Sequence, residues 1–386
     1  MIITGAKVFT KDHVFQKADI ITKGAVISAL SSVEDQADTA NGADVLDATG
    51  LYAIPGLVDI HFHGAIGHDF CDADLEGLNE IARYEAQNGI LAICPATMTY
   101  SEEILSKIME NASEYTNKGS GTDKATLVGI NMEGPFISPK KIGAQNPKYL
   151  ALPDVAMFKR LQEKSCGLIK LVDIAPELDG SISFIKELHN DVNISIAHTA
   201  CTYEVADKAF SEGARHVTHL FNAMPGLSHR EPGPIRAAME AGAEVELIAD
   251  GVHIHPSMVR FAFESFPDDK VILISDSMEA TGLPDGEYQL GGQAVTVHGN
   301  KAVLTSNPDT IAGSATNLFD CMKSAIKMGI KKEAAITAAS ENPAKSIGIA
   351  DKYGAIADGY FANILLVDEA FNLIHVINKG DLQGRG

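Results

Sequence analysis

The chain has 386 residues, of which 45% are apolar and 21% charged; this excludes wholesale disorder and permits a core that needs no disulfide staples. A formal charge of −20 repels polyanions at long range, which excludes nucleic acid and anionic membrane surfaces as general partners but leaves room for a small anionic substrate held by a few local cations. No apolar run reaches the roughly 18 residues of a membrane span, the start Met1–Lys7 shows no signal-peptide pattern, and five cysteines without a Cys-x-x-Cys pair point to free thiols in the cytoplasm.

In chain order, residues 1–55 read as short strands, Ile2–Phe9, Ala18–Thr22 and Ala25–Leu30, divided by Gly and Asp with no helix between them. An alternation then begins. Apolar runs of strand length at Leu57–His63, Ile90–Ala96, Leu127–Met132, Ile169–Ile174, Val192–Ala197, His216–Phe221, Val245–Ala249 and Val271–Ile274 are separated by helical spacing, as at Leu75–Gln87, Glu102–Tyr115, Val155–Lys164, Tyr203–Ser211 and Pro256–Phe263. Strands alternating with helices pair in parallel through right-handed crossovers, and eight such units predict an α/β fold, a (β/α)₈ TIM-type barrel over 56–351. A β-rich insertion is expected near 287–304, followed by helices at Ala315–Met328 and Lys332–Ser340. The β texture returns at Gly354–Ile356, Ala362–Val367 and Leu373–Asn378. Neither terminal piece makes a sheet core alone, so 1–55 and 352–386 are expected to pair as a small β-sandwich domain.

The residues that carry chemistry sit where the runs end. Run one ends in His61-Phe62-His63, run three in Glu133, run five in His198, run six in His219 and run eight in Asp276, while run seven leads to His253. In a barrel all these ends face one mouth, where such folds place their chemistry. Alternation along a strand sends His61 and His63 to the same side, where two imidazoles can share a metal. Glu133, His198 and His219 come from different strands, as a convergent site requires. Imidazole and carboxylate without thiolate suit Zn²⁺ or Fe²⁺, and Mn²⁺ also accepts them. Three protein ligands with one open position form the catalytic arrangement, because water can occupy the opening. Asp276 is then the natural proton acceptor, and later the donor to a leaving amine. A lone strand-end histidine is more often structural; five candidates at strand ends with a terminal Asp are hard to explain as packing. His216, three residues before His219, is expected to be structural and to face away. Cys201 is expected to be a buried thiol, and His68 stays open.

The segment Pro55-Gly56-Leu57-Val58-Asp59-Ile60-His61-Phe62-His63-Gly64 resembles the opening of the metal-dependent amidohydrolase superfamily. Met132-Glu133-Gly134-Pro135-Phe136, His219-Leu220-Phe221-Asn222-Ala223-Met224, Arg230-Glu231-Pro232-Gly233, Ala249-Asp250-Gly251-Val252-His253 and Ser275-Asp276-Ser277-Met278 are similar to its N-acetylglucosamine-6-phosphate deacetylase family. Gly282–Tyr288 and Ile311-Ala312-Gly313-Ser314 extend the match over nearly the whole chain.

That resemblance implies hydrolysis of the acetamide of a phosphorylated amino sugar, N-acetylglucosamine 6-phosphate, to glucosamine 6-phosphate and acetate. It implies Glu133, His198 and His219 as ligands of the main divalent metal, Asp276 as base and acid, and Ala144, Asn222, Ala223, Arg230, His253, Ile311, Ala312 and Gly313 as substrate contacts. It implies one or two ions per chain, zinc first with Fe²⁺ or Mn²⁺ as alternatives, and a homodimer or homotetramer in which the Arg at the position of Arg230 reaches a neighbour's site. The residues agree in part: Arg230 and His253 are cations suited to a phosphate, and backbone N–H groups around Gly313 could add donors. Some relatives replace His-x-His with amides and hold one metal. Here His61 and His63 are present, so a second ion bridged by Glu133 is expected. Gln145 stands where many relatives have a substrate-contacting histidine. Nothing here separates N-acetylglucosamine 6-phosphate from its galactosamine epimer. A cyclic amide substrate and a non-catalytic scaffold are the remaining rivals.

Overall fold

The computed structural model describes residues 1–31, 44–119 and 121–384; the parts of the expected β-domain at 32–43 and 385–386 lie outside the described residues. Eight parallel strands form the barrel: β1 Leu57–Asp59, β2 Ile90–Ile93, β3 Ile130–Met132, β4 Ile169–Ile174, β5 Asn193–Ile196, β6 His216–Val217, β7 Glu244–Ile248 and β8 Val271–Ile274. β2 reaches β3 through the short strand Thr126–Leu127 and a parallel bridge between Ala96 and Asn131. The ring closes between β8 and β1, where Asp276 N–H donates to His61 O at 2.9 Å and His63 N–H to Ser277 O at 2.7 Å.

A helix follows each strand: α1 Leu75–Gln87, α2 Glu102–Lys118, α3 Val155–Lys164, α4 Ser181–Leu188, α5 Tyr203–Ser211, α6 Gly233–Ala241, α7 Pro256–Ser265 and α8 Leu318–Lys327. Asp74, Ser101, Asp154 and Asn317 cap first-turn N–H groups of α1, α2, α3 and α8, which is why those helices show in the sequence. α4 and α6 begin behind Gly180 and Pro232 with no side-chain cap, so they carry no such start signal. Among the described residues no helix is long and apolar enough to cross a membrane.

The terminal segments form two sheets. The expected strand Ile2–Phe9 is in fact two. Gly5, at φ +76°, turns the chain, and a Cβ there would stand 2.5 Å from Thr49 Oγ1, so only glycine fits. Ile2–Thr4 pairs with Asp19–Lys23 and Val45–Asp47, whereas Lys7–Phe9 pairs with Phe15–Lys17 and Tyr52–Pro55 in the other sheet. The C-terminal strand Ile364–Val367 joins that second sheet between Tyr52–Pro55 and Leu373–Asn378. Its pleat serves two cores: Ile364 and Leu366 pack with Ile3, Val8 and Ile20 between the sheets, while Leu365 and Val367 face the main core. Gly354–Ile356 is not a strand, and Ile356 packs between the sheets from a loop.

The insertion is a four-stranded antiparallel sheet, Gly286–Leu290, Gln293–His298, Lys301–Leu304 and Asn307–Ile311. It exceeds the expected range by its edge strand, where Pro308 is tolerated because one side needs no N–H donor. Leu290, Val295, Leu304 and Ala312 pack on Met98 and Met278, which seats this sheet at the barrel mouth.

Glu85 of α1 is buried, and neither carboxylate oxygen has a hydrogen-bond partner among the described residues. Burial, with the nearby Asp59 carboxylate, pushes its pKa well above the ordinary 4.5. Above pH 4.5 the folded chain therefore keeps a proton that the unfolded chain releases, so stability falls as pH rises towards the folded value. Glu85→Met is expected to remove that slope and add about 1–2 kcal/mol near pH 8, roughly 2–5 °C in Tm. Equal pH slopes of Tm in the two proteins would contradict this assignment.

Candidate active site

β1 ends at Asp59, whose carboxylate accepts from His61 N–H at 3.2 Å and from Ser275 Oγ at 2.5 Å. That turn breaks the pleat. Ile60 packs in the inner cluster with Leu171, Ile248 and Ile272, yet its neighbour His61 also faces inward. His61 and His63 do share the interior, with ring centroids 5.7 Å apart and planes at 87°. The turn after the strand, rather than alternation along it, places them.

The other strand ends use unusual backbone. His198, His219 and Asp276 have φ of 42°, 30° and 49°. This left-handed region costs a non-glycine residue roughly 1–3 kcal/mol and is found where a site over-determines it. His216 also corrects the expectation that it faces away. It is fully buried inside the barrel, with Nδ1 2.9 Å from Ser195 Oγ and Nε2 3.7 Å from Glu246 Oε1. Cys201 is buried without joining the cluster, and His68 packs against Gly77 outside it.

Of the five expected ligands, the four histidines converge on the carboxylate of the fifth, Glu133. Glu133 Oε1 lies 3.0 Å from His198 Nε2 and 3.2 Å from His219 Nε2, and these two nitrogens are 3.2 Å apart. On the other flank, His61 Nε2 is 3.7 Å from Glu133 Oε1 and His63 Nε2 is 3.5 Å from Oε2. Glu133–His198–His219 and His61–His63–Glu133 thus form two buried triads with Glu133 in common. The donors fit a divalent ion. Nδ1 of His61, His63 and His198 each faces an acceptor, Glu246 Oε2 at 2.9 Å, Ala96 O at 3.3 Å and Lys141 O at 2.9 Å. Each ring therefore turns a lone pair on Nε2 into the cluster. His61 Nε2 has no hydrogen-bond partner there. Such crowded acceptors call for a cation.

Asp276 closes the ring, with Oδ1 3.3 Å from His63 Nε2 and 3.8 Å from His61 Nε2. Burial opposes its charge, but the hydrogen bond with His63 and the charges of His61, His63 and His219 prevail and hold it below the ordinary carboxylate range. Gln145 is buried with both ends occupied: Nε2 donates to Glu133 Oε2 at 2.7 Å, and Oε1 accepts from Thr99 N–H at 2.7 Å.

Above the cluster opens a cavity of about 640 Å³. Ala144, Asn222, Ala223, His253, Ile311 and Gly313 line it as expected. Gly313, at φ +63°, lets the chain pass close to Asp276, since a Cβ there would lie 3.1 Å from Asp276 O. Ala312 does not line the cavity: its N–H is committed to Ala302 O and its side chain is packed against the insertion sheet. Arg230 is exposed on the loop after β6 and also lies outside its own chain's cavity. Asn222 lines the cavity and caps its loop, donating to His219 O at 3.2 Å. His253 Nδ1 donates to Asp250 Oδ2 at 2.7 Å; burial opposes its charge, but the Asp250 carboxylate overrides this and raises its pKa. Lys140, Lys141, Met98, Leu290 and Leu304, with Ile142, Asn307, Asp309 and Thr310, also line the cavity and were not expected. The adjacent lysines after Glu133-Gly134-Pro135-Phe136 were the available signal.

The profile described as the amidohydrolase family matches residues 52–382. The chain is 38% identical over 335 residues to the N-acetylglucosamine-6-phosphate deacetylase of Bacillus subtilis (strain 168), covering 85% of this chain and 84% of that one. It is 29% identical over 331 residues to the N-acetylgalactosamine-6-phosphate deacetylase of Escherichia coli O157:H7, covering 85% and 86%. Among solved structures, a mutant N-acetyl-D-glucosamine-6-phosphate deacetylase from Mycobacterium smegmatis in complex with N-acetyl-D-glucosamine-6-phosphate superposes with a TM-score of 0.91 at 28% identity, over 99% of this chain and 98% of that one.

Proposed function

The chain belongs to the amidohydrolase family, and from that premise we propose that it is a metal-dependent deacetylase converting N-acetylglucosamine 6-phosphate and water to glucosamine 6-phosphate and acetate. The convergence of two metal-capable triads and Asp276 on one cavity carries this reading. The Bacillus subtilis relative acts on that substrate by name, and a solved neighbour of the same fold holds it. A non-catalytic scaffold would not need every donor intact.

Glu133, His198 and His219 would hold the main ion, and His61, His63 and Glu133 a second. Bound divalent ions supply Lewis acidity and make water a usable nucleophile near neutral pH. Asp276 takes a proton from the attacking water as its oxygen bonds to the acetyl carbon. It returns that proton to the nitrogen as the C–N bond breaks, and the proton left on the new carboxyl group passes to the amine, so that acetate and the protonated amine leave. As a carboxylate it is ionised near neutral pH, as the first step requires. One N–H of Gln145 Nε2 is held by Glu133 and its Oε1 by Thr99; the task of polarising the acetyl carbonyl is assigned to the His61–His63 side. His253, Lys140 and Lys141 give the cavity cations for the phosphate, and Asn222 offers polar contact to the sugar. Arg230, exposed and outside its own cavity, suits a role across a homodimer or homotetramer. Zinc is the metal of first choice, and a cytoplasmic location accords with five free cysteines.

An acetate-release assay tests the reading. N-acetylglucosamine 6-phosphate is expected to exceed the unphosphorylated sugar about 100-fold in kcat/KM, the value of one or two charge-assisted hydrogen bonds. No acetate from any phosphorylated amino sugar would refute it, and a preference for the galactosamine epimer would reassign the substrate.

A further inference from the structure

One buried carboxylate beneath the cluster takes no part in the chemistry above. Glu246 lies in β7 with no solvent exposure. Its Oε2 accepts two hydrogen bonds, from His61 Nδ1–H at 2.9 Å and from His219 N–H at 3.1 Å. Among the described residues, one other polar side chain is within hydrogen-bond distance of His61 Nδ1, the Asn131 Nδ2 donor at 3.4 Å, which also reaches Ile60 O at 3.4 Å. The proton of the neutral ring therefore belongs on Nδ1, facing the carboxylate. Nε2 is left as the lone-pair nitrogen. It is buried without a hydrogen-bond partner, 3.7 Å from Glu133 Oε1 and 3.8 Å from Asp276 Oδ1.

His61 differs here from its neighbours. The Nδ1 atoms of His63 and His198 lie against backbone carbonyls, of Ala96 and Lys141, whereas that of His61 lies against the Glu246 carboxylate. A charge-assisted bond is roughly twice as strong as a neutral one. It also places a carboxylate one imidazole away from where two like-charged ions would share Glu133, in an interior that screens poorly.

We infer that Glu246 is the positioning residue of the His61–His63–Glu133 triad: it fixes the His61 tautomer and ring direction for a second divalent ion. Its bond to the His219 backbone ties that triad to the first. The inference rests on the two-triad reading above and deepens it.

The test titrates metal-stripped full-length protein with Zn²⁺, reading stoichiometry and affinity by calorimetry and metal content by elemental analysis. Wild type is expected to bind two ions. Glu246→Ala is expected to weaken the second on the order of 10- to 100-fold, the usual effect of losing such an outer partner, with the first little changed. Glu246→Gln is expected to fall between, because its amide oxygen still accepts from both N–H groups. In a His61→Ala background, Glu246→Ala is expected to add nothing. Second-ion affinity unchanged in Glu246→Ala overturns the inference alone, as does an equal loss at the first ion. A single ion in wild type overturns the two-triad reading as well. Should Glu246→Ala not fold, Glu246→Gln decides: weakened second-ion binding supports the role, and wild-type binding overturns it.

Discussion

Asp276→Asn is expected to leave the metal content of the protein unchanged and to lower turnover roughly 10²- to 10⁴-fold, the range for loss of a general acid–base group. The substitution keeps the shape of the side chain and its contact with His63, where Oδ1 lies 3.3 Å from Nε2. It removes the capacity to accept a proton from water and return it to the departing amine. Asp276 belongs to neither metal-capable triad, so elemental analysis of the variant should match wild type while single-turnover acetate release collapses. KM is expected to change little, because the cations proposed to hold the phosphate, His253, Lys140 and Lys141, are other residues of the cavity lining. Near-normal turnover would remove Asp276 from the role, and a fall in metal content would recast it as a ligand.

Glu133→Ala is expected to be as severe by another route. Glu133 is the one residue common to both triads, with its two oxygens divided between His198 and His219 on one flank and His63 on the other. Its loss leaves each side two imidazoles without the carboxylate they share. Metal content is expected to fall for both sites together, with turnover reduced about 10³-fold or more as several kcal/mol of ion-derived stabilisation disappear. The double variant His61→Ala/His63→Ala makes the contrast. It should keep the first ion and lose the second. Unchanged turnover in that double variant, with one tightly held ion in wild type, would show that a single site suffices.

Much of the barrel was legible because burial on both faces writes each strand as an apolar run, and an Asp, Ser or Asn cap marks the start of α1, α2, α3 and α8. The metal-capable residues were legible as polar interruptions at the ends of those runs. Glu246 shows the limit of that rule. A lone carboxylate inside Val245–Ala249 was visible, but its position within the run gave no hint that it reaches two histidines from other strands. The helices α4 and α6 lacked caps, and Gly5 split a strand that reads as continuous.

Local order alone thus determined the alternation of elements, the residue types at the strand ends and the chemistry those types allow. The folded chain decided which nitrogen each imidazole presents, that Glu133 serves two triads, that Gln145 is held rather than free, and that Ala312 and Arg230 stand apart from their own chain's cavity. Those facts depend on distances between residues up to about 215 positions apart, 61 to 276, and on left-handed turns at His198, His219 and Asp276. Side-chain periodicity is a property of regular backbone, and it stops carrying information where the strands end and the site begins.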